Sequence, residues 1–237
     1  MVTHNAPRYV ELSIRSLTRY TRNVDFELVV VDNASKSTTT SLLRELQSEG
    51  LIHRLIILNY NSFFAEGNNI AAQHASPESS HLLLLNSDVE VKNAEWLSHL
   101  LAVHKQGITA YGVVDHPLRV DGYCLLVDAA LYRDHGGYDE ANQFFWANTK
   151  FQAKLLAQGY SVQGFAEHER YLHHFCGKSG KDYKSAKGLV LPPDELAACF
   201  NGKTIRILDA RSDKPLTVLP RKSLFRRGVA RVQRIFA

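Results

Sequence analysis

The sequence predicts an α/β fold with a mostly parallel central sheet flanked by helices, and three observations carry that expectation. Short apolar runs alternate with segments whose apolar residues recur at helical spacing. One run, Leu82-Leu83-Leu84-Leu85, is apolar throughout and bounded by polar residues, the pattern of a strand buried on both faces at the centre of a parallel sheet rather than at its edge. Three successive runs end in polar pairs, Thr3/Asn5, Asp32/Asn33 and Asn86/Asp88. Parallel strands point their carboxyl ends to one side, so these tips are expected to converge on one rim, where open α/β sheets bind ligands.

In chain order, residues 2–3 read as the end of a strand, and a helix with Pro7 in its first turn buries Val10, Ile14 and Leu17. A strand of two residues is unusually short, so either this first strand is minimal or the natural chain begins earlier. Residues 26–31 form the next strand. A helix follows near residues 37–40, where hydroxyls can cap it, and carries Leu42, Leu43 and Leu46 inward. Residues 55–58 are a third strand, residues up to 75 a helix, and residues 82–85 the leucine strand. Beyond it the pattern gives a helix over 94–104, strands over 110–114 and 121–127, and a brief helix over 129–134 closed by Gly136-Gly137. A helix over 147–158 stops at Gly159, and residues 160–165 are extended. A short helix over 194–200 and a strand over 204–208 complete the pattern.

Composition narrows the function classes. A chain of 237 residues that is 45% hydrophobic supports one α/β domain with an extension. No apolar run approaches the roughly 20 residues needed to cross a bilayer, and Met1 to Asn5 lacks the basic flank and apolar centre of a signal peptide. A cytoplasmic body is expected. Three cysteines without a C-x-x-C pair indicate neither a disulfide framework nor a structural zinc site. The net charge of +4 is uneven, because residues 221–237 hold Arg221, Lys222, Arg226, Arg227, Arg231 and Arg234 with no acid. Interleaved Leu224, Phe225, Val229, Val232, Ile235 and Phe236 make this a basic amphipathic tail suited to anionic lipid at the inner face of a membrane. A packed terminal helix or a linker fits the same residues. Nucleic acid is not an expected partner, since the cations are confined to the tail and no reading motif accompanies them.

Asn86-Ser87-Asp88-Val89-Glu90 places side-chain oxygens at alternate positions just past the leucine strand. Hard oxygen ligands at a sheet rim suit Mg²⁺ or Mn²⁺ holding a diphosphate. Taken in order, the motifs resemble those of a family 2 glycosyltransferase of the GT-A, Rossmann-like fold, over most of residues 2–179. Val2-Thr3-His4-Asn5 resembles the opening V-T-Y-N, and Val31-Asp32-Asn33-Ala34-Ser35 matches V-D-N-A-S. Residues 59–69 resemble N-x-G-F-x-x-G-N-N, with Ser62 or Phe63 where a glycine is usual. Leu85 to Glu90 resembles L-N-P-D-x-E, Gly136 to Glu140 resembles G-G-F-D-E, and His173 or His174 falls in an H-x-G-x-S-like region.

The resemblance implies a transferase of bacterial surface-polysaccharide type, moving a sugar from a nucleoside diphosphate sugar to a glycan or lipid-linked acceptor. Thr3, Asn5 and Asp32, with Asn68, Asn69 and Asn86, would line the donor site. Asp88 and His174, or His173, would hold a divalent cation, Mn²⁺ or Mg²⁺. It also implies a GT-A domain over residues 1–180; residues 181–220 match none of its motifs and read as a small appendage ahead of the basic tail over 221–237. One departure matters. Where inverting members carry an acidic W-E-D-x-D-like run, this chain has Trp146-Ala147-Asn148-Thr149-Lys150. An amide at Asn148 cannot accept the acceptor's proton. Asp139 or Glu140 would then serve as base, or Asp121 would open another proton path, or the domain binds a nucleotide sugar as a degenerate, scaffold-like partner of an active enzyme.

Overall fold

The computed structural model describes residues 1–115, 118–178, 188–189 and 193–216. The basic tail of residues 221–237 and Ser179 of the histidine motif lie outside these residues. Strands β1 (Val2–Thr3), β2 (Val29–Asp32) and β3 (Arg54–Ile57) form a parallel sheet. A second sheet contains β4 (His81–Leu85), β6 (Gly107–Tyr111), β9 (Cys124–Asp128), β10 (Ser161–Phe165), β12 (Arg206–Leu208) and β13 (Pro215–Leu216), in the order β13-β12-β10-β6-β9-β4. One parallel bridge, Val2 to Asn86, joins the two sheets. Two small ribbons complete the strands: β5 (Val89–Val91) with β11 (Leu172–His174), and β7 (Val113–Val114) with β8 (Arg119–Val120).

Because β4 and β6 both pair antiparallel to β9, and β10 and β12 run parallel to β6, every strand of the main sheet except β9 and β13 points the same way. The parallel-rich sheet is therefore as expected, but the place of the leucine strand is not. It lies antiparallel against β9 along its whole length and touches β1 through the single bridge. An apolar run encodes burial, not direction, and β9 is as apolar as β4. Burial itself follows the pattern: Leu82 and Leu84 pack into one core cluster with Ile108, Leu125 and Leu155. Leu85 and the half-buried Leu83 pack into the other with Ile14, Leu46 and Trp96.

Seven helices cover the sheets: α1 (Pro7–Tyr20), α2 (Ser37–Ser48), α3 (Ala65–Gln73), α4 (Trp96–Ala102), α5 (Ala129–Asp134), α6 (Phe145–Ala157) and α7 (Pro193–Phe200), counted among the described residues. Helix α1 buries Val10, Ile14 and Leu17, as its spacing predicts. The hydroxyl cap expected for α2 is not formed. Lys36 occupies the cap position without a side-chain bond, and Thr39 faces the interior instead. The expected strand over 121–127 begins only at Cys124, since Asp121 and Gly122 form the turn out of β8. The segment expected as an appendage instead contributes β12 and β13 to the main sheet, with Ile207 and Leu208 buried.

A cleft of about 350 Å³ runs between β2 and β4, behind Met1, lined by Leu28, Val29, Leu83 and Leu97 among others. The Met1 amine is buried there and donates to Val29 O at 2.9 Å; burial lowers its pKa from 8.0 to about 5. An amine with a depressed folded-state pKa binds its proton more readily in the unfolded chain, so stability rises with pH across that window. In a chain that starts at Met1, stability is expected to increase by on the order of 4 kcal/mol from pH 5 to pH 8 through this group. Urea midpoints across that range check it, and acetylating the amine should flatten the profile.

Candidate functional site

The strand ends meet at one rim, as the polar tips predict. Thr3 lies in register with Asp32, and Val2 with Asn86. Thr3 and Asp32 are 1% and 0% exposed, so they form the floor of the rim rather than its surface. Asp32 Oδ2 accepts the Ser35 N–H at 3.1 Å, while Asp32 Oδ1 and Thr3 Oγ1 are buried without hydrogen-bond partners. Asn5 spans the cover above them, receiving the Lys36 N–H and donating its own N–H to Ser35 Oγ.

Asp88 follows β4 and is 2% exposed. The antiparallel ribbon of β5 with β11 sets His174 opposite Val89, so the imidazole falls beside the carboxylate. His174 Nε2 and Asp88 Oδ1 are 3.2 Å apart. Neither atom makes an aligned hydrogen bond, so the contact is one of charges. Lys178 N–H holds the other carboxylate oxygen at 3.1 Å. Burial opposes ionisation of Asp88, but His174 and the Lys178 N–H outweigh it and hold the carboxyl below its usual range. Burial likewise opposes charge on His174, yet Asp88 and then Cys176 raise it to about 10.

A buried carboxylate oxygen and an imidazole nitrogen facing each other at this separation are what two ligands of one cation present, at bond lengths near 2.0–2.2 Å each. The pair therefore fits a divalent metal. His173, the alternative at sequence level, points away, is exposed and packs edge-on against Phe175. Two neighbours had no recognised signal. Tyr123 stacks on the His174 ring at 4.4 Å between centroids, fixing its plane. Cys176 Sγ lies 3.6 Å from Nδ1, the ring nitrogen on the far side from Asp88, so it supports the imidazole instead of joining the pair.

The other expected residues hold the rim together. Asn69 uses its amide fully: Nδ2 donates to Tyr138 O at 2.9 Å and Glu140 Oε1 at 2.8 Å, and Oδ1 accepts from Tyr132 OH at 2.7 Å and Tyr138 N at 2.9 Å. Gly137, at φ +67°, fits only without a side chain, since a Cβ would come 2.4 Å from Asn69 Oδ1. Asn68 donates to Phe64 O, closing the first turn of α3. That turn receives a cap from far along the chain, where Gln143 Oε1 accepts the N–H groups of Phe64 and Ala65. Asp139 accepts from Ala141 N, Asn142 Nδ2 and Lys150 Nζ, so both loop carboxylates are engaged in structure. Asn148 is 1% exposed and donates to Val120 O at 3.1 Å beneath Gly122. Asp121 is half-buried, with Oδ1 accepting the Gly122 N–H.

Left-handed backbone gathers at this rim in residues with side chains: Asn5, Ala6, Ala34, Phe63, Phe144 and Cys176 all have φ between 51° and 56°. Such conformations cost about 1–2 kcal/mol each and cluster where structure serves a site. Phe63 takes the position where the sequence motif has glycine, and keeps glycine's backbone. Phe63→Gly is accordingly expected to be more stable than Phe63→Ala by about 1 kcal/mol in urea unfolding, because both lose the ring but only alanine keeps the strain. Phe63 and Phe144 line a cavity of about 80 Å³ together with Thr3, His4, Asn33 and Asn86. Ligand pockets run roughly 300–1,000 Å³, so this cavity is smaller than a ligand of nucleotide size needs.

Comparison with known proteins identifies the family and the fold. The sequence model of "Glycosyl transferase family 2" matches residues 1–168. The O-antigen biosynthesis protein RfbC of Myxococcus xanthus is 26% identical over 214 residues, covering 71% of this chain and 16% of that protein. Among solved structures, S. aureus TarS 1-349 in complex with UDP-GlcNAc aligns with a TM-score of 0.59 at 16% identity, over 84% of this chain and 62% of that one. The mannosyltransferase PcManGT from Pyrobaculum calidifontis, in complex with GDP-Man and Mn²⁺, aligns with a TM-score of 0.59 at 17% identity, over 70% and 52%. The chain thus spans about a sixth of the curated relative and little more than half of these solved chains, and the structural likenesses establish the GT-A fold.

Proposed function

Since the chain belongs to glycosyl transferase family 2 and has the GT-A fold, we propose that it transfers a sugar from a nucleoside diphosphate sugar to a glycan or lipid-linked acceptor, with inversion and with Mn²⁺ or Mg²⁺ assistance. The observation that carries this is the Asp88–His174 contact of 3.2 Å at the rim formed by Thr3, Asp32 and Asn86. A divalent cation there would neutralise charge developing on the diphosphate leaving group. Asp88 and His174 would hold it, Tyr123 would fix the imidazole plane, and the Lys178 N–H would keep the second carboxylate oxygen oriented. Phe63 and Phe144 would part to admit the donor, and Asn5 would shield the base and ribose above Asp32. RfbC, by its name, serves O-antigen biosynthesis, which supports a surface-polysaccharide acceptor. Action from the cytoplasm, with the basic tail against the inner face of a membrane, belongs to the same reading. Among the described residues no helix is long and apolar enough to cross a membrane.

A second reading has its own observation. At the start of α6, where an acidic base is expected, Asn148 is buried and bonded to Val120 O, while Asp139 and Glu140 are tied into the loop. A non-catalytic nucleotide-sugar-binding or scaffold module fits that arrangement, with general base catalysis worth roughly 10²–10⁴-fold forgone. Thermal shift against uridine, deoxythymidine and guanosine diphosphate sugars with Mn²⁺ tests donor recognition, and release of nucleoside diphosphate separates enzyme from module. A donor that stabilises and turns over supports transfer; one that stabilises without release supports the module; no response to any donor rejects both.

A further inference from the structure

A second group of metal-type ligands lies at the opposite rim of the main sheet. His81 opens β4, and Asp128 closes the antiparallel β9 directly across from it in register, so both side chains leave the same face. His104, in the loop between α4 and β6, reaches over the pair. One ligand atom from each residue lies within 4.8 Å of the other two, a juxtaposition of three donor groups not found elsewhere among the described residues. His104 Nε2 and Asp128 Oδ2 are 3.3 Å apart, and the two imidazole rings meet edge-on with centroids 5.0 Å apart.

The supporting contacts orient these donors. His104 Nδ1 is engaged by Thr109 Oγ1 at 2.9 Å, which itself accepts from Gln163 Nε2, so Nε2 is the nitrogen left to face Asp128. His81 Nδ1 is engaged by Ser80 Oγ at 2.9 Å, leaving its Nε2 toward the cluster. Asp128 Oδ2 accepts the Gly107 N–H at 2.6 Å. Asp128 also holds the N-cap position of α5, yet makes no capping bond to that helix. Its Oδ2 is instead shared by the Gly107 N–H and the His104 imidazole, within 4.8 Å of a His81 ligand atom, which is unusual for an aspartate at a helix start. Hydrogen bonds on the outer nitrogens of ligating histidines are the common support of metal sites.

We propose that His81, His104 and Asp128 form a zinc site, with the ion four-coordinate and water as its remaining ligand. Zinc at about 2.0–2.1 Å from each donor places ligand atoms about 3.3 Å apart, which the His104–Asp128 pair already meets, and a small rotation of His81 completes the set. Bound zinc fastens the loop after α4 to the amino end of the sheet, far from Asp88, so the site is structural. It does not depend on the transferase reading.

The test uses chelator-treated full chain titrated with Zn²⁺ alone by calorimetry and thermal shift, and with Co²⁺ for the visible absorption of tetrahedral coordination. In Asp88→Asn, where the rim pair no longer offers a second cation site, one equivalent should bind and raise Tm by about 5 °C at a hundredfold excess over Kd. In that Asp88→Asn background, His104→Ala and the milder His81→Gln should each weaken Zn²⁺ binding by more than the roughly 10–100-fold typical of losing an outer partner. Asp88→Asn should leave this binding intact. Should His104→Ala fail to fold, His81→Gln, at a half-buried strand end, decides alone. Absence of any Zn²⁺ response, persistence of binding in His81→Gln, or its loss in Asp88→Asn overturns the proposal.

Discussion

Replacing Asp88 by alanine is expected to lower Mn²⁺-dependent release of nucleoside diphosphate by about 10³-fold, the largest functional effect of any single substitution at the rim. Two physical losses combine. The carboxylate that would hold the cation is removed, and His174 is left 16% exposed without its counter-charge. Breaking a buried ion pair by deleting one partner typically costs about 3–5 kcal/mol, so stability falls as well. Asp88→Asn removes the same counter-charge but keeps the volume and can still accept the Lys178 N–H. It should therefore be more stable than Asp88→Ala while losing release to nearly the same extent. Circular dichroism with product release makes the comparison, and undiminished release from either variant would remove the metal assignment.

Asn69→Ala is expected to cost about 3–5 kcal/mol of stability, larger than an ordinary surface change by an order of magnitude. All four hydrogen-bonding positions of this amide are used, and three of its partners, the Tyr132 hydroxyl and the Tyr138 N–H and C=O, are buried with it. Each buried polar group left unpaired costs roughly 1–3 kcal/mol. Freed from Asn69, the loop through Gly137 and Tyr138 loses its anchor, and with it the alignment of Phe64 stacked between Tyr138 and Phe144. Urea unfolding gives the stability term, and donor-induced thermal shift in the variant reports the rim. A midpoint close to that of the parent chain would show that water or Glu140 replaces the lost bonds.

Much of this rim was legible in the sequence, for a physical reason. Parallel strands must bring their carboxyl ends together, so Thr3, Asp32 and Asn86 could be grouped without knowing register. The motif order placed Asp88 near a histidine, but not which one. Only the pairing of β5 with β11, three residues long and half apolar, sets His174 inward and His173 outward. Strand direction was the larger gap: Cys124-Leu125-Leu126-Val127 reads as any buried strand, and nothing in its residues says that it runs backwards. Long-range caps are invisible in the same way, since Gln143 reaches α3 across nearly eighty positions. The triad of His81, His104 and Asp128 escaped because its members are spread over three elements with no recurrent spacing.

The reversed β9 divides the work of the sheet. Where its neighbours leave the site by their loops, β9 enters from it, so the connection through β7 and β8 delivers Asp121, Gly122 and Tyr123 to the rim as a separate panel beside the ends of β1, β2 and β4. The panel is fastened to the end of β4, since Tyr123 O accepts the Asn86 N–H at 2.8 Å. A substitution in the panel is therefore felt beside Asp88, through one main-chain bond and one stacked ring.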